Sequence, residues 1–287
     1  MIAFLLALAA AARPGLAYQI TYSYNMDGVP SPDGKRLLFI RVIEGREQLF
    51  TMDIGGGGER QITRDAADHE DPAWSPDGTR IAFVRIAGGS KIVHVMDAGG
   101  SASRPVTPKT QHAIHPSWTP DGTRILYCTD DDLRPPEKNE SQIYAVELGD
   151  GLVRSLIVGG VNTYPAMSPD GTRIAFRKII GEMNSEVFIA NADGSGLRNL
   201  TNHPAWEGWP AWSPDGRHIA FAGNRNSNYQ IFVMNADGGN VRLAANTEGR
   251  ATAPRWSPDG ATIYFTNCMS VDFGRRCEVM AVPVPAS

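Results

Sequence analysis

The sequence predicts an all-β fold, a six-bladed β-propeller with four antiparallel strands in each blade. Two observations carry this prediction: one turn motif recurs six times at a nearly constant spacing, and apolar runs of strand length fill the intervals. A repeat of 44 to 49 residues with this content is typical of a propeller or a solenoid. The motif is Ser-Pro-Asp-Gly, which starts at Ser31, Ser75, Ser168, Ser213 and Ser257, with a threonine variant at Thr119.

Each repeat contains four segments of strand length. The first ends in Pro-x-Trp just before the turn motif, as at residues 72–74, and the second follows the motif, as at 80–83. The third, such as 230–234, leads into a second turn, such as 235–238, and the fourth ends in Leu-Thr or Ile-Thr, as at 200–201. β-Branched and aromatic residues favour strands, and proline followed by Asp-Gly favours a tight turn. Each repeat therefore predicts one blade, and the blades must close into a ring to bury their faces.

The two ends of the chain predict how the ring closes. The last repeat stops after its third strand, near residues 278–284, whereas residues 18–21 (YQIT) match the fourth-strand segment at 60–63 (RQIT). We therefore predict that the N-terminal strand completes the last blade. An open solenoid would need polar caps instead, and the sequence shows none.

Residues 1–17 have the pattern of an export signal. An apolar run over residues 2–12 is followed by small residues at the −3 and −1 positions of a cleavage site after Ala17. The run is too short to span a bilayer; the alternative is a buried N-terminal helix. We predict a signal peptide over 1–17 and a mature propeller domain over 18–287 that is periplasmic or secreted.

The composition excludes several classes of function. The 287 residues are 42% hydrophobic and 20% charged, which is too apolar for a disordered chain. The net charge of −4 argues against a nucleic-acid partner, which favours a basic surface. After residue 17 no segment approaches about 18 uninterrupted apolar residues, so we expect no membrane insertion after signal cleavage. We also expect a monomer.

The repeat resembles the β-propeller domain of the TolB family, periplasmic proteins of the Tol–Pal cell-envelope system. The matching pattern is Pro-x-Trp-Ser-Pro-Asp-Gly followed by Ile-Ala-Phe and later by Asn-Ala-Asp-Gly, and it covers residues 18–287. The resemblance implies the fold and a protein partner in the cell envelope. TolB also has an N-terminal α/β domain, for which this sequence leaves no room. The same repeat forms the propellers of prolyl-oligopeptidase-type enzymes and of some polysaccharide lyases.

The two faces of the predicted propeller differ in the length and residue composition of their loops. Both turn motifs fall on one side, the turn face; the loops before Pro-x-Trp and between the second and third strands fall on the other, the loop face. Because varied loops on a rigid scaffold carry function, we expect binding on the loop face. The residues that precede Pro-x-Trp should surround the mouth of the central channel there. This channel ring consists of Asp27, Asp71, His115, Tyr164, Trp209 and Ala253.

Neighbouring loops supply further candidate binding residues. Aromatic side chains beside carboxylates and amides suit recognition of a peptide or a sugar chain. The alternative is that these are ordinary polar loops whose aromatic residues pack on neighbouring blades. The additional candidates are His69, His112, His203, Trp206, Glu207, Arg225 and Asn246.

A metal site is the main enzymatic alternative. His69, His112, His115 and His203 fall in loops of one face near carboxylates, and such groups bind Zn or Mn. The resemblance points the same way, because lyases built on this repeat use a histidine-rich metal site. The four histidines nevertheless come from three loops without a tight ligand spacing. No Gly-x-Ser-x-Gly motif occurs either, so we predict no metal, no cofactor and no catalytic residue.

The three cysteines suggest one disulfide. Cys268 and Cys277 flank the loop between the second and third strands of blade six, and a hairpin brings such positions together. In an oxidising compartment we predict that they are bonded, whereas Cys128 is predicted to be a buried thiol.

The function predicted from the sequence is non-catalytic binding. We expect an exported scaffold that recognises a protein or peptide partner through the loop face and channel mouth. The alternatives are a polysaccharide lyase-like enzyme with a histidine metal site, or a purely structural module that serves another polypeptide. Since propellers host many functions on one fold, the sequence does not identify the partner.

Overall fold

The computed structural model describes residues 17–20, 25–129, 140–182, 184–226, 228–271 and 274–285. These residues form six four-stranded antiparallel sheets, which confirms the predicted six-bladed propeller. The described ranges contain no α-helix, and hence no helix that could cross a membrane. The predicted signal peptide lies outside the described residues except for Ala17, and it stays a prediction.

Each blade runs from an inner strand beside the central axis to an outer strand at the rim. Blade one contains β2 (Asn25–Pro30), β3 (Arg36–Ile43), β4 (Arg46–Asp53) and β5 (Arg60–Gln61). Blade two contains β6 (Asp68–Trp74), β7 (Arg80–Ala87), β8 (Ser90–Asp97) and β9 (Arg104–Pro105). Blade three contains β10 (Ala113–Trp118), β11 (Arg124–Thr129), β12 (Ile143–Glu147) and β13 (Val153–Ile157).

The second half of the ring repeats this order. Blade four contains β14 (Val161–Met167), β15 (Arg173–Gly181), β16 (Asn184–Asn191) and β17 (Arg198–Asn199). Blade five contains β18 (Glu207–Trp212), β19 (His218–Asn226), β20 (Asn228–Asn235) and β21 (Arg242–Ala245). Blade six contains β22 (Arg250–Trp256), β23 (Thr262–Val271), β24 (Gly274–Pro283) and the N-terminal strand β1 (Tyr18–Gln19).

Closure of the ring follows the predicted scheme. Strand β1 pairs antiparallel with β24, with Tyr18 opposite Ala281 and Gln19 opposite Met280. The Ile20 N–H continues the ladder and donates to the Val279 carbonyl at 2.8 Å. The two ends of the chain therefore meet in one sheet, so that blade six gains its outermost strand from the N-terminus.

One aromatic residue in the second strand of each blade anchors the core. It occupies the fourth position of the strand, where the sequence has phenylalanine or tyrosine, and it is at most 1% exposed in every blade. Burying a side chain of this size stabilises the fold by about 2 to 3 kcal/mol. The six residues are Phe39, Phe83, Tyr127, Phe176, Phe221 and Phe265.

The turn motif is held by its own side chains. In blade two the Ser75 hydroxyl donates to Asp77 Oδ1 at 2.5 Å and accepts the Arg80 N–H at 2.9 Å. The same carboxylate accepts the Thr79 N–H, and Gly78 adopts a φ of 70°, which glycine tolerates without steric cost. The hydroxyl–carboxylate contact recurs in all six turns, so each turn is stabilised by hydrogen bonds among its own residues.

Tryptophans of Pro-x-Trp fasten one blade to the next. Each indole Nε1–H donates to a main-chain carbonyl of the preceding blade at 3.0 to 3.1 Å: Trp74 to Val29, Trp118 to Ala73, Trp212 to Ala166 and Trp256 to Ala211. Pro30 and Met167 occupy the tryptophan position in blades one and four. The indole bonds therefore tie blades one to three into one group and blades four to six into another.

Candidate binding site in the central channel

Every inner strand contains a β-bulge at the same place, the channel ring. The register against the second strand shifts there in all six blades, for example between Glu70 and Ala73 in blade two. All six ring residues adopt a left-handed φ between 49° and 54°, a conformation that is uncommon for residues other than glycine. Bulges re-aim side chains and are over-represented near functional sites. The repeated strain is consistent with six side chains held at the channel.

The ring residues line a central cavity of about 650 Å³. All six predicted members contact it, including Asp27, whose repeat has glycine instead of proline at the next position. That the channel mouth on the loop face binds a partner stays a prediction. The cavity reaches the turn face, because the other end of its lining is formed by the turn prolines. These are Pro32, Pro76, Pro120, Pro169, Pro214 and Pro258.

The wall of the cavity changes from charged to aromatic around the ring. Blades one and two contribute Asp27 and Asp71, whereas the next three blades contribute rings that contact one another at a tilt. The His115 and Tyr164 ring centroids lie 3.7 Å apart, and those of Tyr164 and Trp209 lie 5.0 Å apart. The ring thus places a carboxylate pair beside a continuous aromatic surface.

Arg255 supplies a cation to this cavity. It occupies the middle position of Pro-x-Trp, where the other blades have valine, alanine or serine, and it lines the same space as Asp27 and Asp71. Burial lowers the pKa of its guanidinium, and the two carboxylates oppose that shift. The positive charge of Arg255 therefore acts on both carboxylates across the cavity.

Burial also governs the two carboxylates. Burial, followed by the charge of Asp71, raises the pKa of Asp27 to about 6, against the opposing effects of Arg255 and of a hydrogen bond to Thr266. Burial raises the pKa of Asp71 to about 6 as well, although its carboxylate accepts the His115 N–H at 3.1 Å. Loss of hydration disfavours the charged form of a carboxyl group. Near neutral pH the cavity thus holds destabilised negative charge.

The comparison with protein families covers most of the chain. A family model described as the TolB beta propeller domain matches residues 17–136 and 135–280. The chain belongs to the TolB β-propeller domain family. Solved structures support the same fold for this TolB-type propeller.

Three solved structures illustrate the range of this fold. A TolB candidate from Agrobacterium tumefaciens superposes with a TM-score of 0.70 at 22% identity, over 94% of this chain and 97% of that one. TolB from Acinetobacter baumannii gives 0.63 at 23% identity, over 78% of this chain and 58% of that one. Oligogalacturonate lyase from Vibrio parahaemolyticus gives 0.63 at 13% identity, over 94% of this chain and 93% of that one. At these identities the likeness shows the fold alone.

A curated protein matches a shorter stretch. Dipeptidyl-peptidase 5 from Porphyromonas gingivalis is 34% identical over 68 residues, which is 22% of this chain. The match spans only 10% of that protein's length.

The other predicted binding residues of this TolB-type propeller lie apart from the cavity lining. Glu207 is fully buried and pairs with Arg225 inside blade five, where Arg225 also stacks over Phe232. Asn246 is exposed and accepts a hydrogen bond from Gln230 at 2.6 Å. The Trp206 N–H donates to Asn224 Oδ1 at 2.7 Å. These contacts support the packing of the loop face.

The histidines are likewise dispersed. His69 is buried, with its Nε2 3.3 Å from Asp65 Oδ1 and its ring 5.5 Å from that of Phe83. Burial lowers its pKa, which favours the neutral imidazole. His203 Nδ1 accepts the Ala205 N–H, and His112 sits in a loop with a left-handed φ. Within the described residues no three histidine, cysteine or carboxylate side chains are placed to hold a metal ion.

The cysteines adopt two different environments. Cys268 and Cys277 are disulfide-bonded on neighbouring strands, at directly opposed register positions. Cys128 is a buried thiol whose Sγ lies 3.1 Å from His115 Nδ1. The thiol therefore helps to orient the imidazole that stacks on Tyr164.

Sequence reasoning missed Arg255 and the contribution of the six turn prolines to the cavity lining. A signal for Arg255 was present, since it is the one charged residue at the middle position of Pro-x-Trp. The prolines were assigned only to turn geometry. Their second role depends on six turns being brought side by side, which the spacing within one repeat does not show.

Proposed function

We propose that this propeller is a non-catalytic binding protein that holds a peptide segment of a protein partner in its central cavity. One observation carries the proposal: a cavity of about 650 Å³ is lined by the turn prolines and the Pro-x-Trp tryptophans together with Asp27, Asp71 and Arg255. Tryptophan, tyrosine and proline surfaces bind extended peptides with little loss of side-chain entropy. The charges of Asp27, Asp71 and Arg255 would select among such peptides. Family membership supports the same role.

The expected ligand chemistry follows from the charges. Two carboxylates with pKa values raised to about 6 line the cavity with a single guanidinium, so a cationic group of the ligand would relieve the excess negative charge. We expect a segment that combines an apolar stretch with a lysine, an arginine or an amino terminus. The partner is expected in the cell envelope, and the propeller is expected to act as a periplasmic or secreted monomer.

Photo-crosslinking from inside the cavity tests the proposal. A photoreactive phenylalanine analogue at Met167, which lines the cavity, should give an adduct with a discrete partner in envelope extracts. The same analogue at Leu243, an exposed residue of the outer strand β21, serves as the control. Equal adducts from both positions, or none from Met167, would contradict binding in the cavity.

The aromatic and acidic walls can be tested separately with the captured partner. Trp209→Ala removes the aromatic contact, and Asp71→Asn removes one charge while keeping an acceptor for the His115 N–H. Each should weaken partner binding about tenfold or more. Asn246→Ala on the loop face should leave the affinity unchanged. If Asn246→Ala weakened binding and the cavity variants did not, the site would lie on the loop face.

A lyase activity is the second candidate function, because oligogalacturonate lyase shares the fold over most of both chains. The dispersed histidines give it less support than the cavity gives to binding. Release of unsaturated sugars from oligogalacturonate, measured by absorbance, would establish it, and its loss in a His115→Ala variant would place the reaction in the channel.

A further inference from the structure

A cleft between blades four and five on the turn face concentrates positive charge. It has a volume of about 470 Å³ and is lined by Arg173 and Arg198 of blade four, by Arg217 and His218 of blade five, and by the blade-five turn residues Asn235, Ala236 and Asp237. None of the three arginines makes an ion pair with a carboxylate of the described residues. This local charge stands out in a chain with a net charge of −4.

The other blade junctions show why this cleft differs. The residue opposite the start of the second strand is acidic in blades one to three: Arg36 faces Asp53, Arg80 faces Asp97 and Arg124 faces Glu147. In blades four and five the opposite residue is Asn191 or Asn235. The strand-end carboxylates of blades one to three are therefore neutral amides in blades four and five, where the turn carboxylates, Asp193 and Asp237, stand two residues further along the chain.

A third arginine is added at the same place. The residue just before the second strand is threonine in blades two, three and four, Lys35 in blade one and Ala261 in blade six, but it is Arg217 in blade five. The junction between blades four and five is the one that combines this additional cation with asparagine at the neighbouring strand end. Because the blades share one fold, the equivalent positions at the other blade junctions can be compared directly with this one.

The existing contacts hold two of the arginines in place. The Arg173 guanidinium lies 4.6 Å from the ring centroid of Trp212, and Arg198 donates to the Asp237 carbonyl oxygen at 2.8 Å. Nearby carboxylates are engaged within their own turns: Asp237 accepts the Gly239 N–H and Asp215 accepts the Ser213 hydroxyl. The guanidinium groups thus keep N–H donors for a ligand.

We propose that this cleft binds a phosphoryl group, held by Arg173, Arg198 and Arg217. Guanidinium forks match the oxygen geometry of phosphate, and three cations balance a dianion better than a monovalent carboxylate. The site is separate from the central cavity and does not depend on the peptide-binding role. The phosphoryl group belongs either to a soluble phosphorylated compound or to a lipid headgroup.

Titration of the full-length mature protein with inorganic phosphate at low ionic strength tests the proposal. We expect saturable amide chemical-shift changes confined to the cleft in nuclear magnetic resonance spectra. Arg217→Thr installs the residue of blades two to four, and Asn235→Asp installs the strand-end aspartate of blades one and two; each should weaken binding about tenfold or more. Arg60→Gln is the matched control, because Arg60 donates to Gly99 as Arg198 does to Asp237.

The gain-of-function experiment transfers the site. The double variant Thr79→Arg, Asp97→Asn should create a second phosphate site at the junction of blades one and two. Thermal melting of each variant verifies that the fold is retained. Absence of saturable changes in the unmodified protein, equal binding of acetate, or equal weakening by Arg60→Gln would overturn the proposal.

Vesicle sedimentation distinguishes the two sources of the phosphoryl group. Binding to phosphatidylglycerol vesicles, absent with phosphatidylcholine alone and lost in Asn235→Asp, assigns the site to a lipid headgroup. Phosphate binding that the same substitution weakens, without vesicle binding, assigns it to a soluble ligand.

Discussion

Aspartates of the turns and aspartates of the channel show opposite pKa shifts in the same protein. Hydrogen bonds from Ser75, from the Thr79 N–H and from the Thr79 hydroxyl lower the pKa of the exposed Asp77 to about 2. Burial instead raises the pKa values of Asp27 and Asp71 to about 6. The turn carboxylates are thus stabilised in their charged form, whereas the channel carboxylates are destabilised in theirs.

This difference separates structural positions from candidate functional ones. Every blade repeats the turn contacts, which stabilise its hairpin, and four blades repeat the indole bond, which joins neighbouring blades. The channel ring has a different side chain in nearly every blade and carries backbone strain at each one. Strain and uncompensated charge persist where the surrounding scaffold holds them, and they cluster at binding sites.

The largest effect is expected from removing a repeated contact between blades. Trp118→Ala should lower the free energy of unfolding by about 4 kcal/mol, since it creates a cavity and deletes the bond to the Ala73 carbonyl. Met167→Ala, at the same position of a blade without the indole bond, should cost about 2 kcal/mol. Urea denaturation measures both. Equal losses would contradict the structural role of the indole bond.

Replacing the channel cation should give a loss that depends on pH. Arg255→Gln leaves Asp27 and Asp71 without their shared cation, so the protein should lose about 3 kcal/mol of stability near pH 8. Near pH 4 both carboxyl groups are protonated and the loss should be smaller. Urea denaturation at the two pH values, with Arg60→Gln as the control, measures this. A loss of the same size at both values would indicate that Arg255 contributes packing rather than charge.

Removing a channel charge should stabilise the protein. The pKa of Asp71 is raised from 3.8 to about 6 on folding, so its contribution is fully present below about pH 4 and is lost as the pH rises through about 6. Asp71→Asn should therefore raise stability by about 2 kcal/mol near pH 8 and flatten the pH dependence between those values. Denaturation across the pH range tests the sign. A loss of stability near pH 8 would show that the charged form is needed by the fold.

The smallest effect is expected from a single turn. Ser75→Ala removes the bonds to Asp77 and to the Arg80 N–H and should cost about 1 kcal/mol at neutral pH. Ser168→Ala in blade four should cost the same, because its contacts are equivalent. A clear difference between the melting temperatures of the two variants would show that the two turns are not equivalent.

Much of the fold could be predicted because its signals are local and repeated. Ser75, Asp77 and Gly78 lie within one turn, so a tetrapeptide specifies the hairpin. The position of Asp27 followed from alignment of the repeats, even though Pro30 replaces tryptophan there. Trp206, Glu207 and Arg225 were singled out for their chemistry alone, and the structure uses Glu207 and Arg225 as a buried ion pair.

The sequence alone determined the number of blades, the strand order, the N-terminal strand that closes the ring and the six residues of the channel ring. These features depend on spacing within or between neighbouring repeats. The tertiary structure decided which face the cavity reaches, that Arg255 lines it together with two carboxylates from other blades, and that three arginines line one cleft between blades four and five. Such arrangements involve residues from different repeats, and only the packing of the blades in the closed ring fixes the distances between them.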